Sequence, residues 1–191
     1  TQVQVLTPLR VRGAGANELN RLLQDALNPN EVSVKGFRVG DKVIQTRNNY
    51  DMVRKKPNGK NEFGVFNGDT GIIREIIPIA EQVVVEFEEG KMAEYEYSQM
   101  DEMELAYAIT IHKSQGSEYP AIVLPVLGGP KMLLGRNLLY TAVTRAKKCV
   151  TTVGSSRVIQ GMIHNVNEQK RFSSLCQRIK EMEEEDAELN H

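Results

Sequence analysis

The 191-residue chain sets 24 lysine and arginine side chains against 25 aspartate and glutamate, with 40% hydrophobic residues, an ordinary balance for a globular protein. That length allows one sizeable domain, or one domain carrying a small inserted one. No apolar run approaches the roughly 20 residues of a membrane span, and no charged-then-apolar leader opens the chain. Cys149 and Cys176 show neither metal spacing nor a disulfide framework, so a reducing, cytoplasmic setting is expected.

In chain order, VQVLTP reads as a short buried strand stopped by Pro8, and Gly13 and Gly15 mark a loop. ANELNRLLQDALN places Leu19, Leu22, Leu23, Ala26 and Leu27 on one helical face, which Asn28-Pro29-Asn30 ends. FRVGDKVIQTRN is strand-like around a Gly40-Asp41 turn, and the basic stretch from Asn49 to Lys60 looks like an exposed loop. From Glu62 to Asp101 the style changes to short alternating strands broken at Asn67-Gly68, Asp69 to Gly71 and Glu89-Gly90, as in a small SH3-like barrel. After it YAIT and AIVLPV suit a parallel sheet covered on both faces. NLLYTAVTRAKK is expected to be helical, CVTTV a strand, Ser155-Ser156 the cap of a helix through His164, and residues 168–189 a last, increasingly acidic helix. Strands alternating with helices on both flanks predict an α/β domain with a mostly parallel sheet.

Charge is segregated along the chain. Residues 1–60 sum to +6, 61–106 to −10, 107–180 to +9 and 181–191 to −6. Two basic blocks around an acidic one predict a polyanion-facing surface assembled from both flanks.

Three segments could carry chemistry. On the helix expected from Asn137, Leu138, Leu139, Ala142, Val143 and Ala146 share one stripe, while Thr141, Thr144, Arg145 and Lys148 share the other. A guanidinium offered rigidly outward suits the charge that builds on a transferred phosphoryl group. The segment after YAIT leaves the sheet's carboxyl edge, where ligands of open α/β sheets bind. Thr110, His112, Lys113 and Ser114 supply donors and a cation suited to a phosphate backbone, and Gly116 allows close approach. TPLRVRGAG offers Arg10 first and Arg12 second at another strand end. Asn48 and Asn49 could hydrogen-bond nucleic acid, and an Asx turn explains them equally well. The basic run Arg54-Lys55-Lys56 to Lys60 could grip a strand or simply be solvated. A His112–Cys149 pair is poor, because Cys149 is expected to open a buried strand. Asp101-Glu102 follows no apolar strand and is rejected as a metal-binding pair.

AYAITIHKSQGSEYPAIVLPV (106–126) and NLLYTAVTRAKK (137–148) resemble motifs V and VI of superfamily 1 helicases. Their wording is most similar to the RecD-like branch (superfamily 1B), the exodeoxyribonuclease V alpha subunit family. The resemblance implies a RecA-like second motor domain (2A; residues 1–61 and 105–180) interrupted by an SH3-like insertion (2B; 62–104) and followed by an acidic tail (181–191). It implies that Arg145 is an arginine finger and that Arg10, in a segment like motif IV, reaches the nucleotide's terminal phosphates. Gln115, Gly116 and Glu118 would face the nucleotide; Thr110, His112, Lys113, Ser114, Asn48 and Asn49 would face DNA.

No GxxxxGK[ST] loop occurs in the sequence. The expectation is therefore a C-terminal half of an ATP-dependent 5′→3′ DNA helicase, inactive alone and binding no cofactor by itself. ATP and Mg²⁺ would belong to the parent enzyme, with Mg²⁺ held by an N-terminal motor domain of the same chain. Single-stranded DNA and that domain are the expected partners, along with other subunits of a nuclease–helicase complex; no membrane is expected. The alternative is a non-catalytic nucleic-acid-binding module that retains the helicase fold.

Overall fold

The computed structural model describes residues 3–11, 13–166 and 178–179. Arg12, Cys176, the acidic tail and, apart from residues 178–179, the helix expected over 168–189 lie outside the described residues. Val3–Thr7 forms β1, Ala16–Leu27 α1, Ser33–Val34 β2, Phe37–Arg38 β3, Lys42–Gln45 β4 and Asn49–Lys55 β5. Asn61–Val65 forms β6, Thr70–Ile77 β7, Gln82–Phe87 β8, Met92–Glu96 β9 and Met103–Leu105 β10. Ala108–Thr110 forms β11, Tyr119–Val126 β12, Arg136–Val143 α2, Ala146–Gly154 β13 and Ser156–His164 α3. No helix among the described residues is long and apolar enough to cross a membrane.

The flanks build a four-stranded sheet in the order β11-β1-β12-β13, every pair parallel. The apolar runs read from the sequence are its strands. Leu6, Ile109, Ile122, Leu124 and Val126 form a core with Leu134, Ala142 of α2 and Met162 of α3. Because the strands run the same way, the loops after β1, β11 and β12 leave at one carboxyl edge. That edge gathers Arg10, Thr110, His112 and Lys113, while Glu118 and Arg145 stand at the opposite, amino edge, just before β12 and β13.

The leucine stripe of α1 is not its buried face. Ala16, Asn20 and Gln24 are buried, whereas Leu22 and Leu27 are 49% and 66% exposed. The cause is the unpaired edge of β11. The Asn20 amide donates to the carbonyls of Leu105 and Ala108 at 2.8 and 2.9 Å, and its oxygen accepts from Ala108 N–H at 2.7 Å. Satisfying backbone groups at a strand edge outweighs burying leucines here. Gln24 and Asn28 likewise turn inward, onto the buried carboxylate of Asp41 at 2.6 and 2.7 Å. Asp41 also accepts from Arg38 N–H and from the Tyr107 hydroxyl at 2.9 Å. Burial, then that bond to Asp41, pushes Tyr107 up to about 12.

Between the flanks lies a seven-stranded antiparallel sheet, β10-β4-β7-β8-β9-β5-β6, curled around Val43, Met52, Val65, Ile73, Val85, Tyr95 and Met103. Asn49–Lys55, expected as a loop, is a strand paired with β6 and β9, and only residues 57–59 turn. The expected exposed basic run is neutralised within this sheet. Arg54 is buried against Glu62 and Asp69 at 3.5 and 3.2 Å, Lys55 meets Glu94 at 2.6 Å and Lys56 meets Glu62 at 3.1 Å. The sheet thus takes in β4 and β5, which precede residue 62.

β4 joins the two halves of the molecule. Val43 belongs to the antiparallel core and Ile44 to the parallel-sheet core. Gln45 accepts from the Tyr95 hydroxyl at 2.9 Å and donates to Glu102 at 3.0 Å. Lys42, on the opposite side, donates to Gln4 of β1 at 2.5 Å and lies over the Tyr119 ring.

Candidate nucleotide and nucleic-acid interface

Residues 111–118 leave the carboxyl end of β11 as a tight, internally bonded loop. Ile111 N–H reaches Thr7 carbonyl at 3.0 Å, Gln115 N–H reaches His112 carbonyl at 3.2 Å, and Ser117 N–H reaches Ser114 carbonyl at 3.1 Å. Gly116 turns the chain at φ +86°, and the space that a β-carbon would occupy there has no atom within 4 Å. An L side chain would be strained at this position by its backbone, not by a clash.

The loop sorts its residues by exposure. His112, Gln115, Gly116 and Glu118 are exposed or partly so and Lys113 is half-buried, so all five are available to a ligand. Thr110 is half-buried, and its hydroxyl accepts from Lys113 N–H at 3.4 Å. Ser114 departs from its expected contact with DNA. It is fully buried, and its hydroxyl donates to Ile111 carbonyl at 2.7 Å. It shapes the loop and presents nothing to a strand.

Arg145 also sits differently from the helical reading. α2 stops at Val143, and Ala146–Gly154 is a strand carrying Lys147 and Lys148. Two contacts end the helix. Arg145 N–H closes a tight turn onto Ala142 carbonyl at 3.1 Å, and Arg145 carbonyl accepts from Tyr119 N–H at 2.8 Å, starting the ladder to β12. The guanidinium is held from two sides: Nε donates to Thr141 carbonyl at 3.3 Å and Nη1 to Ser117 carbonyl at 3.2 Å. Arginine carries five donor hydrogens, so others remain for a ligand. Cys149, expected to be buried on this strand, is exposed.

The loop is a ridge between clefts. On one side a cavity of ≈ 630 Å³ is lined by Gly116, Glu118, Arg145 and Lys147, facing Glu88 and Lys91 of the antiparallel sheet. Lys147 pairs with Glu118 at 2.9 Å; that bond and charge, with Arg145 adding less, hold the Glu118 carboxyl below the usual range. On the other side Arg10, Thr110, His112 and Lys113 line a second cavity with Glu104 and the first turn of α1. A third lies between His112, Lys113 and Gln115 and the turn at Asn67-Gly68. Arg10 is therefore gathered with the expected DNA residues and not in the cleft of Arg145.

Asn48 and Asn49 serve the antiparallel sheet. Asn48 accepts from Asn67 N–H at 2.9 Å, while Asn49 donates to Glu102 at 3.0 Å and accepts from Met52 N–H at 3.1 Å. Asn49 is spent internally, as an Asx-type turn. Beside Asn48 an exposed aromatic pair, Tyr50 and Phe66, stacks edge-on at 5.8 Å. Sequence reasoning missed Glu104, Lys147 and this pair. The one signal in the sequence was the Asn67-Gly68 turn, which brings Phe66 back toward Tyr50.

Residues 19–87 match the model of the ATP-dependent RecD-like DNA helicase SH3 domain, and residues 105–153 that of the UvrD-like helicase C-terminal domain. The chain is 36% identical over 183 residues to the ATP-dependent RecD2 DNA helicase of Deinococcus radiodurans, covering 93% of this chain and 23% of that protein. The chain belongs to the RecD-like helicase family. A second relative is the RecBCD enzyme subunit RecD of Mycolicibacterium smegmatis, 29% identical over 169 residues, with 87% of this chain and 27% of that protein covered. This RecD-like chain thus spans about a quarter of the length of these curated relatives. Its fold is similar to that of a Pif1 helicase from Bacteroides solved with ADP-AlF3 and ssDNA. The TM-score is 0.55 at 16% identity, with 95% of this chain and 45% of that one covered. The RecA-like sheet with an SH3-like insertion is the architecture that the sequence of this RecD-like chain predicts.

Proposed function

We propose that the chain is the C-terminal motor half of an ATP-dependent 5′→3′ DNA helicase, supplying an arginine finger and a grip on single-stranded DNA. The observation that carries this reading is the contact between Arg145 and the Ser117 carbonyl. It couples the residue suited to a phosphoryl group to the loop whose other flank presents His112 and Lys113. The RecD2 relative is named an ATP-dependent DNA helicase, in keeping with this reading. Direction of travel rests on the family resemblance.

The cleft of Arg145 fits a nucleoside triphosphate presented by a neighbouring domain: Gly116 leaves its backbone open, and Arg145 and Lys147 supply cationic donors. ATP with Mg²⁺, the latter held by an N-terminal motor domain, supplies the phosphoryl group and its metal. Arg145 orients donors toward the charge that develops during transfer. Closing and opening of the cleft moves the loop through the Ser117 contact, and with it Lys113 and His112 along the strand. The domain division belongs to the same proposal, with β4 and β5 counted to the insertion because they pair within its sheet. So do the cytoplasmic setting and association with subunits of a nuclease–helicase complex.

The test is steady-state ATPase with saturating single-stranded DNA in the longer protein that contains this chain. Arg145→Ala should cut turnover about 10³-fold or more, roughly 4 kcal/mol of transition-state stabilisation, with ATP affinity within several-fold. A folded variant that keeps more than a tenth of turnover refutes the arginine-finger role. Binding of single-stranded DNA by the wild-type longer protein without any ATP turnover would favour the non-catalytic binding module.

A further inference from the structure

Arg10 and Lys113 come from the ends of two neighbouring strands of the parallel sheet, β1 and β11, and they converge on one carboxylate. Arg10 Nη2 lies 2.5 Å from Glu104 Oε1, and Lys113 Nζ lies 2.8 Å from Glu104 Oε2. Glu104 itself belongs to β10 of the antiparallel sheet. We propose that Arg10, Lys113 and Glu104 form a phosphate clasp, closed by Glu104 in the free protein and opened when a phosphodiester of single-stranded DNA displaces that carboxylate. The proposal rests on the DNA-gripping reading above, and it moves Arg10 from the expected nucleotide contact to the strand.

The chemistry of the exchange is matched. A carboxylate and a phosphodiester each present two oxygens sharing one negative charge, and here two cationic donors already address the two oxygens separately. One carboxylate between two cations leaves the group one positive charge in excess, in a cavity that also holds the exposed His112 and the first turn of α1. The cations are seated independently of Glu104. The Arg10 carbonyl accepts from Asn17 N–H at 3.1 Å, and the Lys113 N–H is tied to Thr110. The Glu104 pairs are half exposed, with side chains 60%, 37% and 30% accessible for Arg10, Glu104 and Lys113. Ion pairs at that exposure are weak enough for a strand phosphate to replace.

The experiment is fluorescence anisotropy of a labelled oligothymidylate with the 191-residue chain at low salt. Glu104→Gln should tighten binding roughly threefold to tenfold, as expected for releasing two exposed ion pairs. Adding Arg10→Ala or Lys113→Ala to Glu104→Gln should abolish the gain. An affinity unchanged or weakened by Glu104→Gln overturns the clasp, and so does a gain that survives both double variants, since that is bulk charge alone. A chain that binds the oligonucleotide but ignores Glu104 defeats the clasp and leaves the DNA reading standing. A chain that binds in none of its forms defeats both. Should Glu104→Gln fail to fold, the side-chain carboxyl carbon of Glu104, labelled with ¹³C in the wild-type chain, gives the second measurement. Its resonance should move as oligothymidylate saturates, and a resonance that stays fixed at saturation overturns the proposal.

Discussion

Arg145 Nη1 donates to the carbonyl oxygen of Ser117 at 3.2 Å, and the Arg145 carbonyl accepts from Tyr119 N–H at 2.8 Å. One residue therefore ties the end of α2, the loop 111–118 and the start of β12 by both its side chain and its backbone. A guanidinium spans such a gap because its fork divides its donors between a structural partner and a ligand.

Arg145→Lys tests that division. A lysine keeps the charge but has a single ammonium on a flexible stem, so it cannot hold Thr141 and Ser117 while also meeting a phosphoryl group. DNA-stimulated turnover in the longer protein should stay within about tenfold of Arg145→Ala. The melting temperature should hardly change, because half-exposed hydrogen bonds contribute roughly 0.5–1.5 kcal/mol each. Recovery to near-parental turnover would mean that charge alone suffices.

Lys42 sets a pH dependence. Burial lowers its pKa from 10.5 to about 8. Below about pH 8 both folded and unfolded chains hold the proton, and the folded state bears the full cost of the buried charge, about 3 kcal/mol. Between pH 8 and 10.5 the unfolded chain keeps a proton that the folded chain has lost, so stability rises with pH. Urea unfolding of wild type and Lys42→Met from about pH 7 to 10 should show that rise in the wild type relative to the variant. Parallel curves would remove the burial argument.

Asn20→Leu should destabilise the chain by about 2–4 kcal/mol in urea unfolding, although leucine is the better helix former. The change strips the Ala108 N–H and carbonyl of β11 and the Leu105 carbonyl at the end of β10 of their side-chain partner. A neutral or stabilising outcome would show that the helix face, not the strand edge, decides how α1 docks.

Replacing residues 62–101 with a short linker removes β6 to β9 and leaves β4 with β10 as its remaining ladder neighbour. Val43, Met52 and Met103 lose most of the core around them. Hydrogen exchange should show loss of protection in the parallel sheet as well, through Ile44 and Lys42. A parallel sheet that keeps its protection would make the insertion a separable module after all.

The strands of the parallel sheet were legible because continuous apolar runs have few alternatives, and the turns of the antiparallel sheet because Asn-Gly and Glu-Gly sequences punctuate it. The strand at Asn49–Lys55 was not. Its arginine and lysines resemble a solvated loop until Glu62, Asp69 and Glu94 fold against them, the last two 15 and 39 residues away. Helical periodicity ran on to Lys148, whereas the sheet claims the Arg145 carbonyl and ends α2 at Val143. At the candidate site the residue types of motifs V and VI could be read directly. The inward turn of Ser114 could not, since it depends on one loop carbonyl. Nor could the meeting of Arg10 and Glu104, which lie 94 residues apart.

β4 is four residues long, and its alternate side chains enter different cores: Val43 and Gln45 one, Lys42 and Ile44 the other. A strand shared in this way contains no hinge. Rotation of the parallel sheet must carry the half-barrel with it as a lever arm, without slack to absorb the stroke. Displacements at the Arg145 cleft would then pass directly to the Asn67-Gly68 turn, which lines the clefts on either side of the loop, and so to Phe66 and its partner Tyr50.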